Sequence, residues 1–194
     1  TVQTQLTRTF ERHGLPDAMT MDNGSPWGSD ADHPHTALTL WLMRLNIRVT
    51  HSRPYHPQTQ GKDERFHRTL KAEVLRGPPF RDLAHAQQRF DAWRTVYNFE
   101  RPHEALGQQV PASRYRPSVR ALPSTLPPIE YGPDDWVRKV QCQGEFSFHG
   151  HAFRVSKCFH GYPIALRPTP EDGKFSIHFC ATRIGFIDLH NPNP

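Results

Sequence analysis

The sequence predicts an α/β first part followed by a small all-β second part, and three observations carry that prediction. Up to about residue 100, apolar residues recur at helical spacing in several stretches, with short β-branched or apolar runs between them. From Pro117 to Pro133 the prolines Pro117, Pro123, Pro127, Pro128 and Pro133 interrupt any period, which reads as an extended linker. Beyond them the period changes to two, in short runs punctuated by glycine.

Each element has its own signal. A helix is predicted from Gln5 to His13, with Leu6, Phe10 and His13 on one face and Gly14 as its stop. Ala18 to Met21 reads as a short buried strand that ends in the turn Asp22-Asn23-Gly24. Thr36 to Asn46 reads as a helix on the spacing of Leu38, Trp41, Leu42 and Leu45. "NIRVTHS" reads as a strand with Ile47 and Val49 on one face, and "RPYHPQTQG" as a loop. A helix from Gly61 to Leu75 places Phe66, Leu70 and Val74 on one side and stops at Gly77-Pro78-Pro79. A longer helix from Arg81 to Asn98 carries the stripe Leu83, Ala86, Phe90, Trp93 and Tyr97, expected to be core packing.

In the second part, candidate strands run from Trp136 to Val140, Glu145 to Phe148, His151 to Val155, Pro163 to Leu166, Lys174 to Phe179 and Arg183 to Leu189. Strands this short and this closely spaced predict a small antiparallel barrel. The expected organisation is therefore residues 1–116, a proline-rich linker over 117–133, and a β-barrel domain over 134–190.

Composition narrows the function classes. No apolar run is long enough to cross a bilayer. Cys142, Cys158 and Cys180 are odd in number and far apart, which argues against a disulfide framework and for buried thiols in strands of an intracellular protein. The net charge is +5. Between Arg44 and Arg76 there are 8 Lys/Arg and 3 acids, and 8 − 3 = +5 equals the whole excess. A focused basic segment is the footprint of a nucleic-acid partner.

Within that segment, "QTQGKDERFHRTLKAE" places carboxylates among bases. Asp22 sits at a predicted strand end and Glu64 in the first turns of a predicted helix. Such hard oxygen ligands suit Mg²⁺ or Mn²⁺ and phosphoryl transfer. Glu64, His67, Arg68 and Lys71 follow at i, i+3, i+4 and i+7, so they share a face opposite Phe66, Leu70 and Val74. A plain reading stands beside this one. Glu64 and Arg68 form an i,i+4 pair worth roughly 0.2–0.5 kcal/mol. Asp63 and Glu64 favour the positive end of a helix dipole, and Asp22-Asn23-Gly24 is a common turn. The histidines His33, His35, His51 and His56 raise a weaker metal-site alternative, because no cysteine pair or helical His-x-x-x-His accompanies them.

The blocks "MTMDNGSPWGS", "NIRVTHSRPYHPQTQGKDERFHRTLKAE" and "YNFERPHEALGQQVPASRY" resemble the bacterial insertion-sequence transposases with a retroviral-integrase-type core. The resemblance covers Thr1 to about Arg116. It extends more weakly to "VRKVQCQGEFSFHGHAFRVS", which is similar to the small β-domain of some members. It implies a partial RNase-H-like core whose Asp, Asp, Glu triad binds Mg²⁺ or Mn²⁺, two ions in the intact site. It implies nicking of transposon ends and joining of a 3′-hydroxyl to target DNA.

By the same resemblance, Asp22 is the second acid and Glu64 the third, with Asp63 its rival. Lys62, Arg65, His67, Arg68 and Lys71 are expected at the DNA, and Gln58 and Gly61 in the loop before the catalytic helix. The expected partners are double-stranded DNA and further copies of the chain on it, in the bacterial cytoplasm and not at a membrane. The first Asp is expected upstream of Thr1, so this chain alone is expected to be inactive. Between Asp22 and Glu64 lie 41 residues, with "GSDADHPH" expected to loop out. The competing function is a non-catalytic DNA-binding remnant. Arg101 and His103 of "RPHEAL" receive no chemical role and are expected in a packing turn.

Overall fold

A computed structural model describes residues 1–28, 35–51 and 61–192. The loop containing Gln58, residues His33 and His56, and nearly all of "GSDADHPH" lie outside these. The chain forms two compact units, residues 1–54 with 118–194, and residues 55–117.

In the first unit, helix α1 (Val2–His13) begins earlier than the sequence predicts because the Thr1 hydroxyl caps it, accepting from the Thr4 N–H. It ends at Gly14, whose N–H donates to the Phe10 carbonyl at 2.8 Å. Gly14 has φ +78°, and a Cβ there would meet Ser118 Cβ at 2.8 Å and the Arg120 carbonyl at 2.9 Å. Only glycine meets both the conformation and the close approach.

Strands β1 (Ala18–Met21) and β2 (Arg48–His51) pair in parallel, from Ala18 opposite Arg48 to Met21 opposite His51. Parallel pairing needs a crossover, and the connection carries helix α2 (Ala37–Arg44), started by a Thr36–Thr39 capping box. Helix α2 is apolar nearly all round, as suits a helix buried on two sides. Leu42 and Leu45 join Phe10, Leu15, Met21 and Ile47 in one core. Leu40 and Met43 join a second core made by the β strands. The periodicity had identified only the side bearing Leu38, Trp41, Leu42 and Leu45.

Residues 118–135 form no helix or strand, but they are bound. Leu122 and Leu126 pack on the first core. The Arg120 guanidinium donates to the carbonyls of Leu45 at 2.7 Å, Asn46 at 2.9 Å and Pro16 at 3.0 Å. It thereby satisfies carbonyls just past the end of α2, where a cation is also favoured by the helix dipole.

The β part contains β3 (Trp136–Lys139), β4 (Glu145–Phe148), β5 (His151–Arg154), β6 (Pro163–Pro168), β7 (Lys174–Phe179) and β8 (Thr182–Asp188). An antiparallel sheet runs β3-β6-β7-β8, and β4-β5 is a separate hairpin. The all-β expectation holds, while closure into a barrel does not appear. Among the described residues no strand pairing joins hairpin to sheet. Side chains join them instead: Phe146, Phe148 and Phe153 of the hairpin share a core with Ile164, Leu166, Ile177 and Phe179. The cysteines lie in turns rather than strands, and Cys142 is exposed.

In the second unit, helix α3 (Gly61–Leu70) continues into a π-helical turn (Lys71–Leu75), and helix α4 (Leu83–Thr95) into another (Val96–Glu100). The predicted stripe of α4 is not a core. Leu83 is 90% exposed, and Val74, at 3%, is the one fully buried apolar residue among those described in this unit. A helix facing one neighbour can cover only part of its stripe, here through Trp93 and Tyr97 against Phe66. Among the described residues no helix is long and apolar enough to cross a membrane.

Leu40→Ala is expected to destabilise the protein by about 2–5 kcal/mol, and Leu83→Ala by less than about 0.5 kcal/mol. Urea unfolding monitored by circular dichroism measures both.

Candidate functional site

Asp22 follows the last residue of β1, at the carboxyl end of a parallel pair, where α/β proteins present functional side chains. Its side chain is exposed. Oδ1 accepts the Gly24 N–H at 3.0 Å, closing an Asx turn. The Asp22 carbonyl lies 3.0 Å from His51 Nδ1, at the end of β2. A carbonyl only accepts, so the proton of that bond is on Nδ1. Among the described residues Oδ2 makes no hydrogen bond, leaving one carboxylate oxygen available.

The chain after Asp22 is held in turn. Thr36 Oγ1 donates to the Pro26 carbonyl at 2.8 Å. Next to it, the His35 carbonyl accepts from Cys158 Sγ at 3.1 Å, and the His35 ring meets Phe159 edge-on at 5.1 Å. Burial, reinforced by nearby His51, pushes the His35 pKa down to about 4, so the ring is neutral near pH 7.

Helix α3 presents the second group. Lys62, Asp63, Glu64, Arg65, His67, Arg68 and Lys71 are all exposed. Asp63 is engaged with His67, at 3.4 Å. Glu64 makes no hydrogen bond or ion pair among the described residues, and with Gly61, Arg65 and Arg68 it lines an open recess of about 310 Å³. The opposite side of the helix packs: Phe66 meets Trp93 at 5.5 Å and Tyr97 at 5.4 Å, both edge-on. The structure therefore brings Glu64, Arg65 and Arg68 to one recess, and pairs His67 with Asp63. Asp22 belongs to the other unit. Among the described residues no cluster of three His, Cys, Asp or Glu is placed to hold a metal ion.

Residues 45–111 match the model of the integrase core domain, and residues 135–194 match that of the IS481 family transposase C-terminal domain. Over these two spans the chain is similar to the integrase-core transposases of insertion sequences. The chain is similar to an uncharacterized 31.7 kDa protein of insertion element IS407 from Burkholderia multivorans (strain ATCC 17616 / 249), with 29% identity over 119 residues. The match covers 60% of this chain and 41% of that relative, so the chain spans less than half of the relative's length. It also resembles a chain in the cryoEM structure of a simian T-cell lymphotropic virus intasome in complex with PP2A regulatory subunit B56 gamma. That match has a TM-score of 0.44 and 16% identity, over 95% of this chain and 63% of that one, and is too loose to bear on the site. Glu64 and the basic residues of α3 fall inside the integrase-core match, whereas Asp22 precedes it.

Sequence reasoning missed the group that supports α3. Arg101 Nη2 donates to both Glu73 carboxylate oxygens, at 2.8 and 2.7 Å, and Trp93 Nε1 donates to one of them at 2.7 Å. Tyr97 lies under the Arg101 guanidinium at 5.6 Å and against His103 at 4.8 Å. So "RPHEAL" packs as a turn, as expected, and Arg101 has a definite partner. No local spacing rule links residues 28 apart; Arg101 alone, conspicuous in a recognisable block, could have prompted the search.

The hydrogen bonds from Arg101, then Trp93, hold the Glu73 pKa below its ordinary value of 4.5. A depressed carboxylate contributes stability that is present above its unfolded pKa and lost as pH falls through the folded one. Amide exchange in residues 71–76 and 93–101 is therefore expected to accelerate as pH is lowered below about 4.5, after correction for intrinsic rates. Glu73→Gln is expected to exchange fast already at neutral pH and to lose that acid transition.

Proposed function

We propose that this chain is part of a transposase and takes part in metal-dependent DNA transposition, the nicking of transposon ends and transfer of the freed strand to target DNA. The observation that carries the reading is Glu64, an exposed carboxylate without a partner among the described residues, beside Arg65 and Arg68, inside the span matched to the integrase core. Asp22 adds a second carboxylate with a free oxygen on a turn held from both sides. Both offer the hard oxygen donors that Mg²⁺ or Mn²⁺ takes, so the residues fit such ions as ligands. Bound ions of this kind, two in the complete site, activate the attacking oxygen and stabilise the leaving one.

The chain's own residues do the rest. Asp22 and Glu64 would each offer a carboxylate ligand to such an ion. Arg65, Arg68 and Lys71 neutralise phosphates of the strand lying along α3, Lys62 adds charge beside it, and His67 offers a ring nitrogen as a hydrogen-bonding group. Asp63 is paired with His67 at 3.4 Å, which favours Glu64 over Asp63 as the third acid. The partners are duplex DNA at the transposon ends and the target. Several copies of the chain meet on that DNA in the bacterial cytoplasm.

In the transposase assembled on paired DNA ends, Glu64→Gln and Asp22→Asn are each expected to abolish Mg²⁺-dependent strand transfer while leaving DNA affinity within about twofold. Strand transfer that persists in Glu64→Gln overturns the assignment. Replacing both Arg68 and Lys71 by Ala is expected to reduce the slope of log K against log salt by about 2, since each lost phosphate contact removes about 0.9. An unchanged slope takes them off the DNA.

A further inference from the structure

The β part carries a surface that neither its core nor its sheet explains. Strand β3 lies at the edge of its sheet, paired among the described residues with β6 alone, and every one of its residues is exposed. Two of them are large and apolar: Trp136 is 42% exposed and Val137 43%. Trp136 does not stand alone. Its ring lies 4.7 Å from His149, 5.0 Å from Phe148 and 5.5 Å from Phe175, the last stacked at 27°. Phe148 is buried, which anchors the group to the core.

The hairpin turn sets the position of the histidine. Phe148 pairs with His151, so His149 and Gly150 form a two-residue turn, with φ of +49° and +82°. Positive φ at both positions is the signature of a type I′ turn, which matches the twist of the strands. His149 occupies the left-handed position there, and its ring lies against Trp136. The result is a fixed aromatic shelf that stays open to solvent.

One cation, Arg138, lies beside it. Residues 136–160 contain Arg138, Lys139, Arg154 and Lys157 against the single acid Glu145, and 4 − 1 = +3. Glu145 is taken by Arg154 at 2.6 Å. Among the described residues, Arg138, Lys139 and Lys157 have no acidic partner. Arg138 is held by the Ser147 carbonyl at 3.1 Å and lies over the Phe148 ring at 5.4 Å.

A partner for this surface needs negative charge and a flat π face. Nucleotides have both, and exposed aromatic rings beside unpaired cations are how proteins bind single strands. Bases inside a duplex are already stacked and cannot reach such a ring; unpaired bases can. We propose that the shelf of Trp136 and His149, flanked by Arg138, binds unpaired nucleotides of a DNA strand by base stacking. This goes beyond the reading of α3: it rests on the chain handling DNA, but not on Asp22 or Glu64.

The test compares a blunt duplex with the same duplex carrying a short unpaired tail, by fluorescence anisotropy in EDTA, so that metal chemistry plays no part. Wild type is expected to prefer the tailed duplex by roughly tenfold, within the range for stacking of one base. Trp136→Ala is expected to remove that preference without changing the affinity for blunt duplex, and Trp136→Phe to keep most of it. Circular dichroism confirms that both variants are folded. Equal affinity of wild type for the two duplexes overturns the proposal, as does a preference that survives in Trp136→Ala. Failure of wild type to bind either duplex overturns the DNA reading itself, which separates the two outcomes.

Discussion

Glu73 receives three hydrogen bonds, two from Arg101 and one from the Trp93 indole, in a unit where Val74 is the one fully buried apolar side chain among those described. The position of α3 therefore leans on this carboxylate more than a well-cored helix would. A partly exposed ion pair contributes little bulk stability by itself, but it specifies geometry. The charged acceptor draws donors from the end of α4 and from the segment after it onto one point of the π-helical turn following α3. Phe66 meets Trp93 and Tyr97 one layer further along. The other side of α3 bears Glu64, Arg65 and Arg68, all of them exposed. The π turns that follow both helices fit this account, since such irregularities often mark functional segments.

The first unit is organised by a different constraint, a helix buried on two sides. Helix α2 contributes Leu42 and Leu45 to the core beneath β1 and β2, and Leu40 and Met43 to the core of the β strands. The β strands therefore pack on the same helix whose N-terminus braces the Asp22 turn. Cys158 and Phe159 hold His35, Thr36 holds the Pro26 carbonyl, and His51 holds the Asp22 carbonyl. The second matched family thus enters the structure as support for a residue that lies before the first match, as well as a surface of its own. Its shelf and the recess on α3 share one chemical logic, cations left unneutralised beside a group with another task. On α3 that group is a carboxylate; on β3 it is an aromatic ring.

The sequence by itself determined the elements and the chemistry of the candidate residues. Hydrophobic period, capping residues and glycine stops are local, so β1, β4 and β7 were legible to the residue, and α1 and α2 nearly so. The charge of α3 and the i, i+3, i+4, i+7 grouping of Glu64, His67, Arg68 and Lys71 were legible for the same reason. The tertiary structure decided everything that depends on what lies opposite. It left Leu83 in water, because a stripe is buried only where a neighbour covers it. It gave α2 a second core, which a single amphipathic face could not announce. It kept the hairpin β4-β5 out of the hydrogen-bonded sheet, because its side chains could reach the core without a ladder. It brought Arg101 to Glu73 and His51 to Asp22 across separations for which no sequence period exists. Propensity acts between neighbours along the chain, whereas burial and partnership act between neighbours in space.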